Sequence, residues 1–230
     1  MPTKGVLYVA YGDAAVTQFI IANRALAKRH PRWNCAVICE KPIKPRRNMV
    51  PFECIRYHST HLGARDAKLR MDLLAPWDWV LYMDADTRVR YSIDAVWDIL
   101  ADGWEMAAVP TGTKTRTGVM RHVFCGDNGL IPEGLEERNA TIEECGGWPC
   151  CQLQGGIWAF RKTPAVARFF EVWREEWERW RDQDQPAAAR AYRRAPVKWF
   201  PLGWYFNGGP GVGHFHAHAR RRGLKGSIAR

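Results

Sequence analysis

Short apolar runs alternate with amphipathic segments along the first half of the chain. The apolar runs have the length of buried strands and lie at 5–11, 34–39, 52–57, 79–83 and 105–109. Residues with helical spacing lie between them, at about 13–30, 64–75 and 92–100, with Asp13 and Ser92 expected to cap the first and the last of these helices. Strands and helices that alternate with short links predict an α/β fold with a mostly parallel, twisted sheet flanked by helices.

The second half of the chain is less regular. Residues 110–151 are polar, rich in Gly and weakly periodic, and a stretch of that length without its own elements is usually functional or mobile. Thr163-Pro164 has the form of a helix N-cap followed by a proline at the first helical position. The aromatic stripe after it is expected to pack in the core, and a short Ala-rich helix follows. No internal repeat or linker divides the chain, so we predict a single domain over 1–230 with a basic tail at 219–230.

The central apolar run is the most informative stretch, because it ends in two carboxylates, Asp84 and Asp86. Side chains alternate across a strand, so these two acids are expected to point to the same side of the strand end. In an open α/β sheet the ligand crevice lies outside the carboxyl ends of the strands. Two carboxylates there suit a hard divalent cation, which can in turn hold a diphosphate. The competing interpretation is a strand end capped by solvated acids.

The charge of the chain favours an anionic partner. The formal net charge is +10 and the pI is near 9.5, which fits a nucleotide, a membrane face or a nucleic acid as partner, although a solvated basic surface explains the same excess. No apolar stretch reaches the roughly 18 residues of a transmembrane helix. The N-terminal residues lack the pattern of a signal peptide, so the sequence predicts a cytoplasmic protein.

The seven cysteines match no zinc motif cleanly, and without a secretory signal we expect reduced thiols. Cys35 and Cys39 are expected to be buried strand residues. Cys125, Cys145, Cys150 and Cys151 could form a zinc site with His122, an alternative that the missing CxxC pairs disfavour.

Several short motifs follow one another in a recognisable order. They are Ala10-Tyr11-Gly12, a basic helix with Lys68 and Arg70, the LYMDAD run that ends at Asp86, Gln154-Gly155-Gly156, Asp184-Gln185, a loose LP-x-x-x-x-N match ending at Asn207, and His214-Phe215. Together they resemble the GT-A class of nucleotide-sugar glycosyltransferases, most closely family 8 with its glycogenin-like and bacterial galactosyltransferase-like members. The resemblance spans about 5–218 and implies a Rossmann-like GT-A domain.

The resemblance also implies a metal site. Asp84 and Asp86 would bind Mn2+, or Mg2+, together with a histidine from the end of the chain. His214 is the preferred third ligand, His216 is the alternative and His218 comes third, because the chain departs here from the family pattern, in which the histidine is usually followed by Gly and then Lys-Pro-Trp.

The remaining motif residues receive roles toward the donor and the sugar. Ala10, Tyr11 and Gly12 would contact the nucleoside, Lys68 and Arg70 the phosphates, and Ala85 the donor beside the metal. Gln154, Gly155, Gly156 and Asn207 would line the sugar site, where Gln154 stands in place of the usual Asn. Asp184 would hydrogen-bond sugar hydroxyls and Gln185 would lie near the anomeric carbon, with N-capping of a helix as the competing role for Asp184.

The function implied is transfer of a sugar from a nucleotide-sugar, a UDP-sugar in the usual case, to an acceptor hydroxyl with retention of configuration. The acceptor could be a glycan, a protein or a hydroxymethylated DNA base, the last favoured by the basic charge. Two alternatives remain at this stage. A nucleic-acid-binding protein with a degenerate transferase fold would be expected to lack the acids or the terminal histidine. A nucleotidyltransferase should carry a Gly-rich phosphate loop near the N-terminus, which AYGDAAV matches poorly.

Overall fold

The computed structural model describes residues 1–59, 63–110, 132–146, 153–181, 184–206 and 209–214. The elements in this part of the chain are, in order, β1 (Lys4–Val9), α1 (Gly12–Ala27), β2 (Asn34–Cys39), β3 (Glu53–Arg56), α2 (Ala64–Leu69), α3 (Met71–Leu74), β4 (Trp79–Asp84), β5 (Thr87–Val89), α4 (Ala95–Ala101), β6 (Met106–Pro110), α5 (Pro132–Glu144), β7 (Leu153–Arg161), α6 (Pro164–Trp180), α7 (Asp184–Arg194), β8 (Trp199–Pro201), a 3₁₀ turn (Trp204–Phe206) and β9 (Val212–His214).

The predicted α/β sheet is confirmed, and it is mixed. Seven strands run in the order β3-β2-β1-β4-β7-β6-β8. Strands β3, β2, β1 and β4 are parallel to one another, β7 is antiparallel to both β4 and β6, and β8 is parallel to β6. The chain moves outward from β1 to β3 and then returns to the other side of β1 as β4. The carboxyl ends of β1 and β4 therefore flank the crevice where open α/β sheets bind ligands.

Helices cover both faces of the sheet. Alternate residues of β1 enter the two core clusters: Val6 and Tyr8 pack on the face covered by α1 and α4, and Leu7 and Val9 on the face covered by α2, α3, α6 and α7. The aromatic stripe of α6 is core, as predicted, because Phe169, Phe170, Trp173 and Trp177 are all buried.

The predicted start of α6 is confirmed, since the Thr163 hydroxyl accepts a hydrogen bond from the Val166 amide over 3.3 Å. The other two predicted caps are wrong. Helix α1 begins at Gly12, whose φ of 75° suits glycine, and Tyr11 occupies the N-cap. The N-cap of α4 is Asp94, and the Ser92 hydroxyl donates instead to the Asp94 carboxylate over 2.6 Å.

The basic helix predicted at about 64–75 is two short helices. Arg70, with φ of −112° and ψ of 14°, leaves the helical region and separates α2 from α3. Lys68 lies in α2, and Arg70 lies at the break between α2 and α3.

Among the described residues, Cys35, Cys39, Cys54 and Cys145 form no disulfide, and Cys35 and Cys39 are buried in β2 as predicted. Of the suggested zinc group only Cys145 lies within the described chain; His122, Cys125, Cys150 and Cys151 lie outside it, as does the basic tail 219–230. The helices seen in the described ranges are all too short or too polar to cross a bilayer.

Candidate functional site

The two motif acids lie where the sheet opens, but they are not on one strand. Asp84 is the last residue of β4, and Ala85 and Asp86 form a turn that leads into β5. Strand alternation therefore does not relate the two acids, because β4 ends at Asp84 and Asp86 lies in the turn that follows.

Arg88 braces this acidic turn, which we define as residues 84–87. Its guanidinium donates to the Ala85 carbonyl over 3.1 Å and to the Thr87 carbonyl over 2.6 Å, and it also hydrogen-bonds the Gln18 side chain of α1. The sequence analysis did not identify Arg88 or Gln18. Their role depends on α1 lying beside β5, which no local pattern indicates.

The far end of the chain returns to the acidic turn. Strand β9 pairs antiparallel with β5, and His214 is the partner of Thr87, the residue next to Asp86. Only the backbone of His214 is described. Asn207, His216 and His218 lie outside the described residues. The pairing brings the preferred histidine of the metal site and the two acids to one edge of the fold.

Lys68 is the centre of a second cluster beside the acids. Its ammonium lies 2.6 Å from Asp184 Oδ2 and 4.0 Å from Asp84 Oδ1, and the residue is only 7% exposed. It therefore connects α2 with the end of β4 and with the first turn of α7. The Asp184 carbonyl in turn accepts a hydrogen bond of 2.8 Å from the Trp173 indole of α6.

The pKa values of this pair favour the charged forms. Burial by itself would lower the pKa of Lys68, but the nearby Asp184 and Asp84 carboxylates outweigh it and raise that pKa. Burial would raise the pKa of Asp184, but the Lys68 ammonium outweighs it and lowers that pKa. Because the two shifts are in opposite directions, the ion pair persists across neutral pH and is lost only in strong acid or strong base.

Tyr82 is a member of the site that the sequence analysis missed. Its hydroxyl donates to Asp84 Oδ1 over 2.5 Å. Burial, reinforced by the charge of Asp84, raises the pKa of Tyr82 well above its usual value, so the phenol stays protonated and remains a donor. Its position two residues before Asp84 on β4, where side chains share a face, was the signal that could have found it.

The glycine-containing segment of β7 lies against the Lys68–Asp184 pair. A methyl group placed on Gly155 would lie 2.7 Å from Lys68 Nζ and 3.4 Å from Asp184 Oδ2. The Gln185 amide donates to Gln154 Oε1 over 3.1 Å, and Gly156 is buried next to Gly155 in the strand. The structure thus brings together residues that lie far apart in the sequence, and the close approach explains why a side chain is absent at 155.

Gly155→Ala is expected to displace the Lys68 ammonium and lower the catalytic rate about tenfold to a hundredfold, because the added methyl group takes the space that the ammonium occupies. Thermal unfolding should change little, since the end of a lysine side chain can move cheaply. The measurement is the rate of nucleotide-sugar turnover beside a melting curve. Gly203→Ala is the matched control, because nothing lies within 4 Å of a methyl group there. Equal rates for the two variants would show that the position of the Lys68 ammonium beside Gly155 does not affect turnover.

The predicted nucleoside contacts lie at the carboxyl end of β1. Ala10 is buried, and the half-buried Tyr11 donates its hydroxyl to the Tyr57 carbonyl over 2.7 Å. Asp66 accepts hydrogen bonds from the Tyr57 hydroxyl over 2.7 Å and from Arg70 over 2.9 Å. Arg70 thus forms its ion pair with Asp66, whereas the Lys68 ammonium lies beside the Asp84 and Asp184 carboxylates. Helix α1 begins at Gly12, and the amino end of a helix attracts anionic groups because its first N–H groups are unpaired.

Comparison with solved structures identifies the fold. The galactosyltransferase LgtC, in a complex with donor and acceptor sugar analogues, matches over 88% of this chain and 74% of its own with a TM-score of 0.57 and 16% identity. Mouse xyloside xylosyltransferase 1 matches over 89% of this chain and 87% of its own with a TM-score of 0.54 and 9% identity. The bifunctional glycosyltransferase WbbM matches over 90% of this chain and 40% of its own with a TM-score of 0.55 and 15% identity.

The chain has the GT-A fold. No protein-family model matches the sequence, and no curated protein matches it either. At identities of 9% to 16%, these matches establish the fold of the chain but not the reaction that it catalyses.

Proposed function

We propose that this protein is a metal-dependent glycosyltransferase that moves a sugar from a UDP-sugar to an acceptor hydroxyl with retention of configuration. The observation that carries the proposal is the meeting of the acidic turn, the Lys68–Asp184 pair and the β7 glycines at the carboxyl edge of β4. A degenerate binding protein would have no need to keep a buried lysine between two carboxylates at a ligand crevice.

The residues present fit a divalent cation. Asp84 and Asp86 offer carboxylate oxygens on one short turn, and the β5–β9 pairing supports His214 as the third ligand, a set that suits Mn2+ and also admits Mg2+. No group of three or more candidate ligand side chains is found among the described residues, in which the His214 side chain is not included. When bound, the cation would act as a Lewis acid toward the leaving diphosphate.

The protein residues around the cation would position the donor. Tyr82 donates to one oxygen of Asp84 and so orients that carboxylate. Lys68 keeps Asp184 ionised, which leaves the carboxylate able to accept hydrogen bonds from sugar hydroxyls. Gln185, held by Gln154, would lie near the anomeric carbon, and Gly155 and Gly156 allow the sugar close to the β7 backbone. Tyr11 and Gly12 would contact the nucleoside at the end of β1.

In the transfer step the acceptor oxygen bonds to the anomeric carbon while the bond from that carbon to the diphosphate oxygen breaks. The proton of the acceptor hydroxyl passes to the departing nucleoside diphosphate on the same side of the sugar. This arrangement requires no separate strong base, because the departing diphosphate accepts the proton.

The test is nucleotide release from a panel of UDP-sugars with and without Mn2+. We expect one UDP-sugar to give UDP in the presence of Mn2+ and the release to stop on chelation. Incubation with nucleoside triphosphates and sugar phosphates is the matched control, because a nucleotidyltransferase would release pyrophosphate from that mixture. Pyrophosphate release, or UDP release that persists in excess chelator, would contradict the proposal.

A further inference from the structure

A basic groove lies beside the acidic turn, on the outer side of α1. It is open, has a volume of about 1060 Å³, and is bordered by α1, the loop before β3, β5 and the residues after it. Six of its lining residues are cationic: Arg24, Lys28, Arg29, Arg47, Arg88 and Arg90. Together these residues carry +6 of formal charge in a chain whose net charge is +10.

The described lining of this groove carries an excess of positive charge. No Asp or Glu is present among the described residues that line it. Within the described ranges, four of its cations form no ion pair with a carboxylate, namely Arg24, Lys28, Arg29 and Arg47. Two of them are also neighbours, since Arg24 Nε donates to the Arg47 carbonyl over 3.3 Å. Like charges gathered along one groove repel one another, and a bound polyanion would relieve that repulsion.

The side chains of the groove are mainly hydrogen-bond donors. Arg and Lys have no acceptor, and five of the six cations are Arg, whose planar fork binds phosphate in a bidentate manner. A neutral or uronic-acid glycan presents many hydroxyl donors, for which the side chains of this lining offer few acceptors, those of Asn48 and Tyr91. A DNA strand presents only acceptors along its backbone, which makes it the better match.

The groove also offers an exposed aromatic ring. Tyr91 is 56% exposed, the Arg29 guanidinium lies 5.7 Å from its ring centroid, and Ile21 nearby is 43% exposed. Unstacked bases pack on exposed aromatic rings of this kind, whereas the bases of a duplex are already stacked on one another. The concave shape is also unsuited to a flat membrane surface.

The groove is connected to the acidic turn through Arg88. Arg88 lines it and at the same time braces the acidic turn through the carbonyls of Ala85 and Thr87. A strand that follows the α1 side of the groove to Arg88 would therefore arrive within a few residues of Asp86.

We infer that this groove binds single-stranded DNA, and that a hydroxymethylated base of the strand supplies the acceptor hydroxyl. The second half of the inference rests on the proposed transferase function, whereas the first half is a binding property that can be measured by itself. Six cations and one stacking ring predict affinity that falls steeply with salt. The logarithm of the association constant should fall with the logarithm of the salt concentration with a slope of about −0.7 for each phosphate neutralised.

The experiment is fluorescence anisotropy of a labelled single-stranded oligonucleotide with the full chain. We expect the double variant Arg24→Gln/Lys28→Gln to weaken binding about tenfold or more and to reduce the salt slope by about 1.4. Tyr91→Ala should weaken binding about tenfold. The matched control is Arg168→Gln/Arg181→Gln, which removes the same charge from two exposed side chains, one on α6 and one at its C-cap. Melting curves of all variants verify that each is folded.

Three outcomes would overturn the inference. The first is equal affinity of the groove variant and its control for the single strand, and the second is tighter binding to a duplex than to the single strand. The third is binding to polygalacturonate or to anionic phospholipid vesicles that equals or exceeds binding to the single strand at the same charge concentration. UDP release by the unmodified chain, measured with and without a hydroxymethylated single strand, distinguishes the two proposals, and release that the strand does not increase would overturn its role as acceptor. DNA binding without any UDP release would contradict the transferase function alone, and UDP release without DNA binding would contradict the inference alone.

Discussion

Asp86→Asn is expected to lower nucleotide-sugar turnover about a thousandfold or more. The substitution keeps the shape of the side chain and removes the charge that would bind the divalent cation. The fold should persist, because the acidic turn is held by backbone carbonyls that accept from Arg88 and not by the Asp86 carboxylate alone. The measurements are the rate of UDP release and the Mn2+ dependence of UDP binding by calorimetry.

The control for this variant is Asp98→Asn, which makes the same chemical change on the exposed side of α4. It should retain the rate and the Mn2+ dependence of the unmodified chain. If Asp86→Asn kept full turnover while Asp98→Asn behaved as expected, the acidic turn would have no part in the reaction, and the proposed metal site would be wrong.

Arg190→Met is expected to have the largest effect on stability, a loss of about 3–5 kcal/mol in the free energy of unfolding. Arg190 is fully buried and pairs with Glu137 of α5 over 2.9 Å and with Glu176 of α6 over 2.9 Å, and it also hydrogen-bonds Thr141. Removing the cation takes away a buried partner of both carboxylates, although Glu176 keeps Arg179 over 2.7 Å and Arg194 over 2.6 Å. Thermal unfolding should shift downward by about 6–20 °C.

Arg168→Met is the control for Arg190→Met, because it makes the same change at a side chain that is 54% exposed on α6. Its effect should be within about 0.5 kcal/mol. The double variant Glu137→Gln/Arg190→Met should lose less than the sum of the two single changes, since one of the stranded charges is then absent. A melting curve of Arg190→Met that matches the control would show that the network does not hold α5, α6 and α7 together.

The Arg190 network also bears on the site. Arg190 and Asp184 lie on the same helix, α7, whose first turn carries Asp184 and Gln185 into the crevice. Anchoring α7 on α6 through Glu176 therefore fixes where those two side chains stand. The Trp173 indole of α6 donates to the Asp184 carbonyl and is a second contact that holds α7 against α6.

Much of the fold could be predicted from local patterns. The alternation of apolar runs and amphipathic segments indicated the α/β sheet, and the Thr163-Pro164 start and aromatic stripe of α6 were correctly predicted. The errors came where tertiary contacts override local preference. Asp13 and Ser92 are typical N-cap residues, yet the caps are Tyr11 and Asp94, and the basic helix is broken at Arg70.

The sequence by itself determined which residue types are available to the crevice: two acids after a buried strand, a lysine on a short helix, paired glycines and an Asp-Gln pair. Only the tertiary structure decided their relations, because these depend on contacts between segments far apart in the chain. Lys68 meets Asp184 over 2.6 Å through the docking of α7, and the pairing of β9 with β5 brings His214 to Thr87. The basic groove was also decided by the tertiary structure, since its cations come from three separate segments that only folding brings to one surface.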